Sequence, residues 1–150
     1  MSIPDIVSKK CRYALRAIFE LALRDTDEPV KIQEIAASQA IPSRFLEVIL
    51  SELKQGGFVE SRRGNEGGYI LARAADELTV GEVISFLQGK PRTKERTGRH
   101  EPVLVGDYVF SKMWKEVSDA IAYIYNSTTF SDLVKQEMAK IKSYIPNYAI

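Results

Sequence analysis

Residue types that commonly carry enzyme chemistry are scarce in this sequence. The chain has one cysteine, Cys11, and one histidine, His100, about ninety residues further along. A Cys–His pair is arithmetically possible, but nothing near either residue supports one, and a metal site that needs several histidines cannot be formed. The common nucleotide-binding patterns G-x-G-x-x-G and G-x-x-x-x-G-K-[ST] are also absent. The sequence therefore disfavours an enzyme and predicts neither a metal site nor a bound cofactor.

The chemistry that the side chains do offer is recognition of nucleic acid. Arg44 can donate to guanine O6 and N7, and Glu47 can accept from cytosine N4. Arg62 and Arg63 suit a minor groove or the flanking phosphates. Each group alone is more often a solvated surface, so the interpretation depends on the elements that position it. The residues predicted to contact double-stranded DNA are Lys9, Lys10, Arg12, Tyr13, Ser43, Arg44, Glu47, Arg62, Arg63 and Asn65.

Length, charge and composition limit the class of protein. A chain of 150 residues, 45% of them apolar, can form one compact domain or a small module with an accessory element. Its 21 Lys and Arg against 20 Asp and Glu give a net charge of +1, which excludes a polybasic tail and an acidic disordered chain. No apolar run approaches the ~20 residues of a membrane span, and the first residues lack the layout of a signal peptide. We therefore expect a soluble cytoplasmic protein.

The order of the predicted elements is that of a winged helix-turn-helix. Apolar residues at helical spacing predict three helices, and two β-prone runs around a glycine-rich basic tip predict a hairpin, or wing. Ser8 and Ser43 are the expected caps of the first and third helices, and Pro42 forms the tight connector before the third. The segments are helices over 8–24, 32–39 and 44–55 and strands over 58–61 and 69–72.

The second half of the chain predicts helices that hold two copies together. Thr79, and later Thr129 with Asp132, are expected to start helices, and between them a long helix is expected from about Val105 to Tyr125. Its apolar residues recur every three to four positions, as in the seam between two paired helices. The residues expected at the dimer interface are Phe110, Trp114, Val117, Ile121 and Ile124.

Several stretches of the sequence resemble the Rrf2 family of transcription regulators. Residues 8–17, SKKCRYALRA, are similar to the family's opening S-K-G-R-Y-A, and residues 41–50, IPSRFLEVIL, are similar to its recognition helix. Residues 57–69, GFVESRRGNEGGY, match its wing, and residues 127–133 resemble the T-L-x-D-L that follows its dimer helix. The similarity therefore covers nearly the whole chain through dispersed motifs.

The resemblance implies a homodimeric winged-helix regulator that binds a roughly palindromic operator, with half-sites about one helical turn (~34 Å) apart. It also implies that Arg44, Glu47 and Arg63 lie at base-reading positions. Two residues depart from the family pattern. Cys11 replaces the usual glycine, and Glu66 stands where a basic or small wing residue is common.

Iron–sulfur members of the family carry three cysteines in the loop before the dimer helix. Residues 90–107 hold none here, and a cluster held by thiolates needs about three or four ligands. His100 alone cannot supply them. The resemblance therefore points to the cluster-free members, which include a repressor of cysteine metabolism, and we expect no iron–sulfur cluster.

That repressor of cysteine metabolism is regulated through a complex with O-acetylserine thiol-lyase, the cysteine synthase. Residues 146–150 end in Ile150 behind a helix-stopping proline and resemble the serine acetyltransferase tail that inserts into that enzyme's active site. Capture of a C-terminal carboxylate by backbone amides is a known recognition mode. Tyr148 and Ile150 are therefore candidate contacts for this partner, although a frayed terminus has to end in some residue.

Cys11 and His100 are the two candidate sensor residues. A lone cysteine in an amphipathic helix is most often a small buried apolar residue. Lys9, Lys10 and Arg12 adjoin Cys11, however, and cationic neighbours lower the pKa of a thiol, so that oxidation could change DNA affinity. His100 lies in a basic loop, where it is either solvated or senses pH or an effector.

Together these features predict a mainly α protein with a small β-hairpin. A winged helix-turn-helix DNA-binding domain is expected over 1–75, followed by a dimerisation and regulatory region with a long helix over 76–150. The predicted function is a homodimeric, sequence-specific repressor without an iron–sulfur cluster. One alternative is a protein-interaction regulator that binds a metabolic enzyme through its tail, and another is a redox-sensing repressor based on Cys11.

Overall fold

Six helices and one two-stranded antiparallel sheet make up the described part of the chain, residues 7–65, 67–89 and 103–144 of the computed structural model. None of these helices is long and apolar enough to cross a membrane. The mainly α fold with a small hairpin that the sequence predicts is confirmed. The elements are α1 (Lys9–Arg24), α2 (Ile32–Gln39), α3 (Ser43–Gln55), β1 (Val59–Arg62), β2 (Gly68–Leu71), α4 (Val80–Gln88), α5 (Asp107–Ser127) and α6 (Phe130–Tyr144).

Ser8, Thr79 and Thr129 start helices, as the sequence predicts. The Ser8 hydroxyl accepts the Cys11 N–H at 3.2 Å, and the Thr79 hydroxyl accepts a backbone N–H in the same way. The Thr129 hydroxyl accepts the Asp132 N–H at 3.0 Å while the Asp132 carboxylate accepts the Thr129 N–H at 3.1 Å. Each bond satisfies a donor that has no partner inside its helix, a contribution of about 1 kcal/mol.

The expectation that Ser43 caps α3 is wrong by one residue. The capping residue is Pro42, whose carbonyl accepts the N–H groups of Phe45 at 3.0 Å and Leu46 at 3.1 Å. Ser43 is already the first helical residue, because the fixed φ of Pro42 (−58°) turns the chain into the helix one position earlier. The hydroxyl of Ser43 makes no capping bond and stays on the exposed surface.

The predicted bounds of the long helix and the strands shift by one or two residues. Helix α5 begins at Asp107, because the Asp107 carboxylate accepts the Leu104 N–H at 2.8 Å and ties down the turn that precedes the helix. Strand β1 begins after Phe58, since the Phe58 N–H is already bonded to the Leu53 carbonyl at 3.0 Å at the end of α3.

The hydrophobic core forms where α1, α2 and α3 meet. The predicted apolar stripe of α3 is buried there: Leu46, Ile49, Leu50 and Leu53. Leu78, Val83 and Phe130 are fully buried in the same core, so that α4 and α6 pack against α1. Burial of each such side chain contributes ~1.5–3 kcal/mol. The winged helix and the second half of the chain therefore share one core.

The turn between α2 and α3 sets how the two helices meet. Ala40 has the left-handed conformation (φ 52°) and ends α2. Ile41 follows, with its N–H bonded to the Ala36 carbonyl at 3.0 Å and its side chain 3% exposed. Because Ile41 is anchored in the core, Pro42 can open α3 in one fixed direction.

The wing is attached to the connection between α1 and α2. Val30 and Tyr69 exchange two backbone hydrogen bonds of 2.9 Å each. The two backbones are so close that a Cβ on Gly68 would overlap the Val30 carbonyl oxygen, so only glycine fits there. The two strands pair in antiparallel register, from Val59 with Leu71 to Arg62 with Gly68. This pairing extends the hairpin away from the core.

One charged side chain, Glu20 of α1, is buried between α1 and α2. Its carboxylate accepts from Gln39 Nε2 at 2.8 Å and from Arg24 Nε at 2.9 Å, and only 5% of the residue is exposed. Burial by itself raises the pKa of Glu20, but the hydrogen bonds from Gln39, Arg24 and Ser38 outweigh it and hold the pKa below its usual 4.5. The ionised carboxylate therefore ties the first helix to the helix-turn-helix.

We expect Glu20→Gln to lower the free energy of unfolding at pH 7 by ~1–3 kcal/mol, because it removes charge-assisted bonds in a buried place. Since folding depresses the carboxyl pKa, the stabilisation is full above pH 4.5 and is lost as the pH falls through the folded-state pKa. Urea unfolding at pH 7 and below pH 4.5 measures both effects. The exposed Glu28→Gln is the matched control, and a Glu20→Gln protein as stable as the native one at pH 7 would contradict the assignment.

Candidate nucleic-acid interface

The outer face of α3 carries the polar side chains that the sequence predicts for base reading. Because Leu46 and Leu50 turn into the core, Arg44 and Glu47 point away from it, and Ser43 is exposed because it is the first residue of the helix. Their position at the amino-terminal end of α3 is the part of a second helix that enters a major groove in helix-turn-helix proteins. The tertiary structure thus presents these three side chains together.

The wing carries the second group of predicted contacts. Arg62, Arg63 and Asn65 are exposed at the end of the hairpin, where Gly64 has a positive φ of 114° that tightens the turn. A hydrogen bond of 2.7 Å from Lys54 Nζ to the Ser61 hydroxyl ties β1 to α3. This bond fixes the hairpin beside the recognition helix. The predicted departure at Glu66 lies outside the described residues.

A cleft of about 530 Å³ separates α3 from the wing. Ser43 and Glu47 line it on one side, and the wing residues that were predicted to bind DNA line it on the other. Lys31 and Gln33, at the start of α2, also line the cleft and are exposed. The sequence does not predict these two residues as part of the interface, since a lysine and a glutamine beside a short helix carry no signal until the fold brings them next to the wing.

The predicted phosphate contacts at the start of α1 already have partners within the chain. Lys10 Nζ lies 2.6 Å from a carboxylate oxygen of Glu52 in α3, so Lys10 links two helices and would have to exchange that partner for a phosphate. Lys9 Nζ stands 5.7 Å from the ring centroid of Tyr13. Arg12 Nε donates to the Val7 carbonyl at 3.1 Å. Lys9 is therefore the better placed of the two lysines for an outside anion.

Cys11 does not have the properties of a redox sensor. Its side chain is fully buried on the inner side of α1, and burial raises its pKa to about 11. The expectation that the adjoining cations lower the thiol pKa is wrong, because the side chains of Lys9, Lys10 and Arg12 are exposed while the thiol faces the core. Cys11 is a small apolar core residue, the ordinary role of a lone cysteine in an amphipathic helix.

Helix α5 exposes the apolar side chains that the sequence predicts at the dimer interface. Phe110, Trp114 and Ile124 are about 60% exposed, Val117 is 44% exposed, and Ile121 is half-buried. All 21 residues of α5 are described, and none of them is buried in a single chain. The helix contacts its own chain mainly through α4. Its apolar face thus has no cover within the described protomer.

The other predicted sensor and partner residues, His100, Tyr148 and Ile150, lie outside the described residues.

A helix-turn-helix with an exposed basic and acidic second helix and an adjoining basic wing defines a winged-helix DNA-binding protein. The family model for Rrf2, described as an iron-dependent transcriptional regulator, matches residues 7–136. The chain belongs to the Rrf2 family, as its motifs predict, and is a DNA-binding transcriptional regulator.

Individual members of the family agree with this assignment. The chain is 34% identical to the transcriptional regulator IscR of Pectobacterium carotovorum over 132 residues, which cover 87% of this chain and 80% of that one. It is 30% identical to the regulator CymR of Bacillus subtilis over 139 residues, 93% of this chain and 96% of the relative. The solved structure of CymR, the global cysteine regulator of B. subtilis, superposes with a TM-score of 0.73 at 30% identity, covering 87% and 96% of the two chains.

The family description names iron, but the donor residues of this chain do not fit an iron–sulfur cluster. The whole sequence contains one cysteine and one histidine, whereas thiolate-held clusters need about three or four ligands. The one thiol is buried and has a raised pKa, so it is a poor metal ligand. Among the described residues, His, Cys, Asp and Glu nowhere gather in a group of three that could hold a metal ion.

We expect the Cys11 thiol to be protected in the folded protein, because it is both buried and protonated at neutral pH. A chromogenic disulfide reagent should react slowly with the native protein and at once after unfolding in guanidinium chloride. The Cys11→Ser protein, which has no thiol, sets the baseline. Rapid stoichiometric labelling of the native protein at pH 7 would show that the thiol is accessible and would reopen the redox alternative.

Proposed function

We propose that this regulator is a homodimeric repressor that binds a palindromic operator and works without an iron–sulfur cluster. The exposed face of α3 beside the wing is the observation that carries the proposal. In the proposed complex, α3 enters the major groove, where Arg44 and Glu47 contact base edges. Residues 1–75 form the DNA-binding unit and residues 76–150 the dimerisation and regulatory region.

The wing and α1 complete the protein–DNA contacts in this proposal. Arg62, Arg63 and Asn65 reach the minor groove or the phosphates that flank the site of α3. Lys9 contacts a DNA phosphate on the side of α3 that faces α1. Lys10 contacts phosphate as well, once it has left Glu52. These contacts set the register of the protein on the duplex, and the base contacts of α3 supply the sequence preference.

Dimerisation through α5 follows from the exposed apolar face of that helix. Aromatic and aliphatic side chains at helical spacing are costly to leave in water, and a second copy of the same helix offers a matching surface. A two-fold pair of winged helices would contact half-sites about one helical turn (~34 Å) apart. A dimer that spans promoter DNA in this way excludes other proteins from the promoter, and this exclusion is the basis for proposing repression. We place this function in the cytoplasm and propose no catalytic activity.

A second candidate is control by a metabolic enzyme, since one solved relative is described as a global cysteine regulator. In this version O-acetylserine thiol-lyase binds the tail at Tyr148 and Ile150. The two candidates are separable, because specific DNA binding by the isolated protein supports the first and a requirement for the enzyme supports the second.

We expect Arg44→Ala to relax the sequence preference at one position of each half-site, by ~1–3 kcal/mol. Selection of bound duplexes from a random pool, followed by affinity measurements on the selected operator, would show this loss of preference.

Lys9→Ala should instead weaken binding to all sequences alike and reduce the salt dependence by about one phosphate contact. The control is Lys135→Ala on α6, which removes one positive charge away from the interface. A pool with no enriched sequence would refute sequence-specific binding.

We expect Trp114→Glu to convert the dimer to a monomer and to abolish cooperative binding to the palindrome, because it puts a charge into the proposed apolar seam. Trp114 is 61% exposed in a single chain, so the fold of the protomer should be unchanged by circular dichroism. Lys112→Glu introduces the same residue on the polar side of α5 and should leave the dimer intact. Sedimentation equilibrium measures the mass, and a native protein that is monomeric at micromolar concentration would overturn the dimer.

A further inference from the structure

The recognition helix carries two apolar side chains that are not part of the core. Its other large apolar residues are buried, yet Phe45 is 58% exposed and Val48 is 56% exposed. Val48 follows Arg44 by one helical turn and is adjacent to Glu47, so all three lie on the outer face of α3. Neither the core nor the predicted base contacts account for these two exposed side chains.

Phe45 and Val48 line a depression of about 300 Å³ between α1 and α3. Tyr13 and Ile49 complete its apolar lining, and Lys9 and Lys10 are the charged residues that line it within the described part of the chain. The depression is therefore apolar inside and basic around it. It lies between the two helices that contact DNA in the proposed complex, one through phosphates and the other through base edges.

We infer that Val48, with Phe45 beside it, receives the 5-methyl group of a thymine in the major groove. Lys9, which lines the depression, favours an anionic partner, and a DNA phosphate beside α1 supplies one. Among the groups that base pairs present in the major groove, the thymine methyl is the apolar one. An apolar depression on a groove-facing helix, lined by Val48 one helical turn from Arg44, is matched by that group and by none of the polar base atoms.

The inference rests on the proposed DNA-binding function and makes it more specific. Arg44 and Glu47 select bases by hydrogen bonds, whereas Val48 selects a base by burying its methyl group. Each half-site should therefore contain a thymine next to the base pair that Arg44 reads. Burial of one methyl group is expected to change affinity roughly fourfold.

The test uses the operator that the native protein selects from random duplexes, with each thymine replaced in turn by deoxyuridine. This replacement removes the methyl group and leaves base pairing and the O4 acceptor intact. The native protein should bind about fourfold more weakly when the contacted thymine of one half-site is replaced, and the other positions should have no effect. Val48→Ala should bind the thymine and deoxyuridine operators equally well.

The matched control is Val103→Ala, since Val103 is 85% exposed and lies outside the winged helix; it should retain the discrimination of the native protein. Phe45→Ala provides a second variant of the same depression, and both altered side chains are exposed, so folding is not at stake. Insensitivity at every thymine, or discrimination that persists in both variants, would overturn the inference while leaving DNA binding intact. Failure to select any sequence would refute the DNA-binding proposal and the inference with it.

Discussion

The burial of one side of α3 is the constraint on which the DNA-facing surface depends. Leu46, Leu50 and Leu53 lock the helix against α1 and α2, so its rotation about its own axis cannot change without exposing them. A helix fixed in this way must present Arg44 and Glu47 outward. The recognition surface is therefore a direct consequence of core packing, and the same packing leaves Val48 on the outer face.

The wing depends on a different and more local constraint. Its backbone is joined to Val30 through Tyr69, and the approach is so close that only a glycine at position 68 is tolerated. The bond from Lys54 to Ser61 adds a link to α3. These two attachments place the basic tip at one side of the recognition helix, and Lys31, at the start of α2, lines the same cleft.

Cys11 and Trp114 show how the same kind of sequence evidence leads to opposite outcomes. Both lie in helices with an apolar repeat, and both were open to a functional interpretation. Cys11 faces the shared core, where burial raises its thiol pKa and shields it from solvent. Trp114 lies on a helix that contacts mainly α4, so its ring stays exposed and available to a second chain.

The sequence by itself determined the element order and the buried stripe of α3, because turn residues, helix caps and apolar spacing are local properties of the chain, and its motifs identified the family by resemblance. It also determined that the chain cannot supply the thiolates of an iron–sulfur cluster, since that is a matter of counting. Only the tertiary structure decided that the Cys11 thiol is buried with a raised pKa, that Lys10 is paired with Glu52, and that Lys31 lines one cleft with the wing. The reason is physical: burial and pairing depend on which residues the fold brings together, and the spacing of residues as far apart as Lys10 and Glu52, 42 positions, carries no trace of their contact.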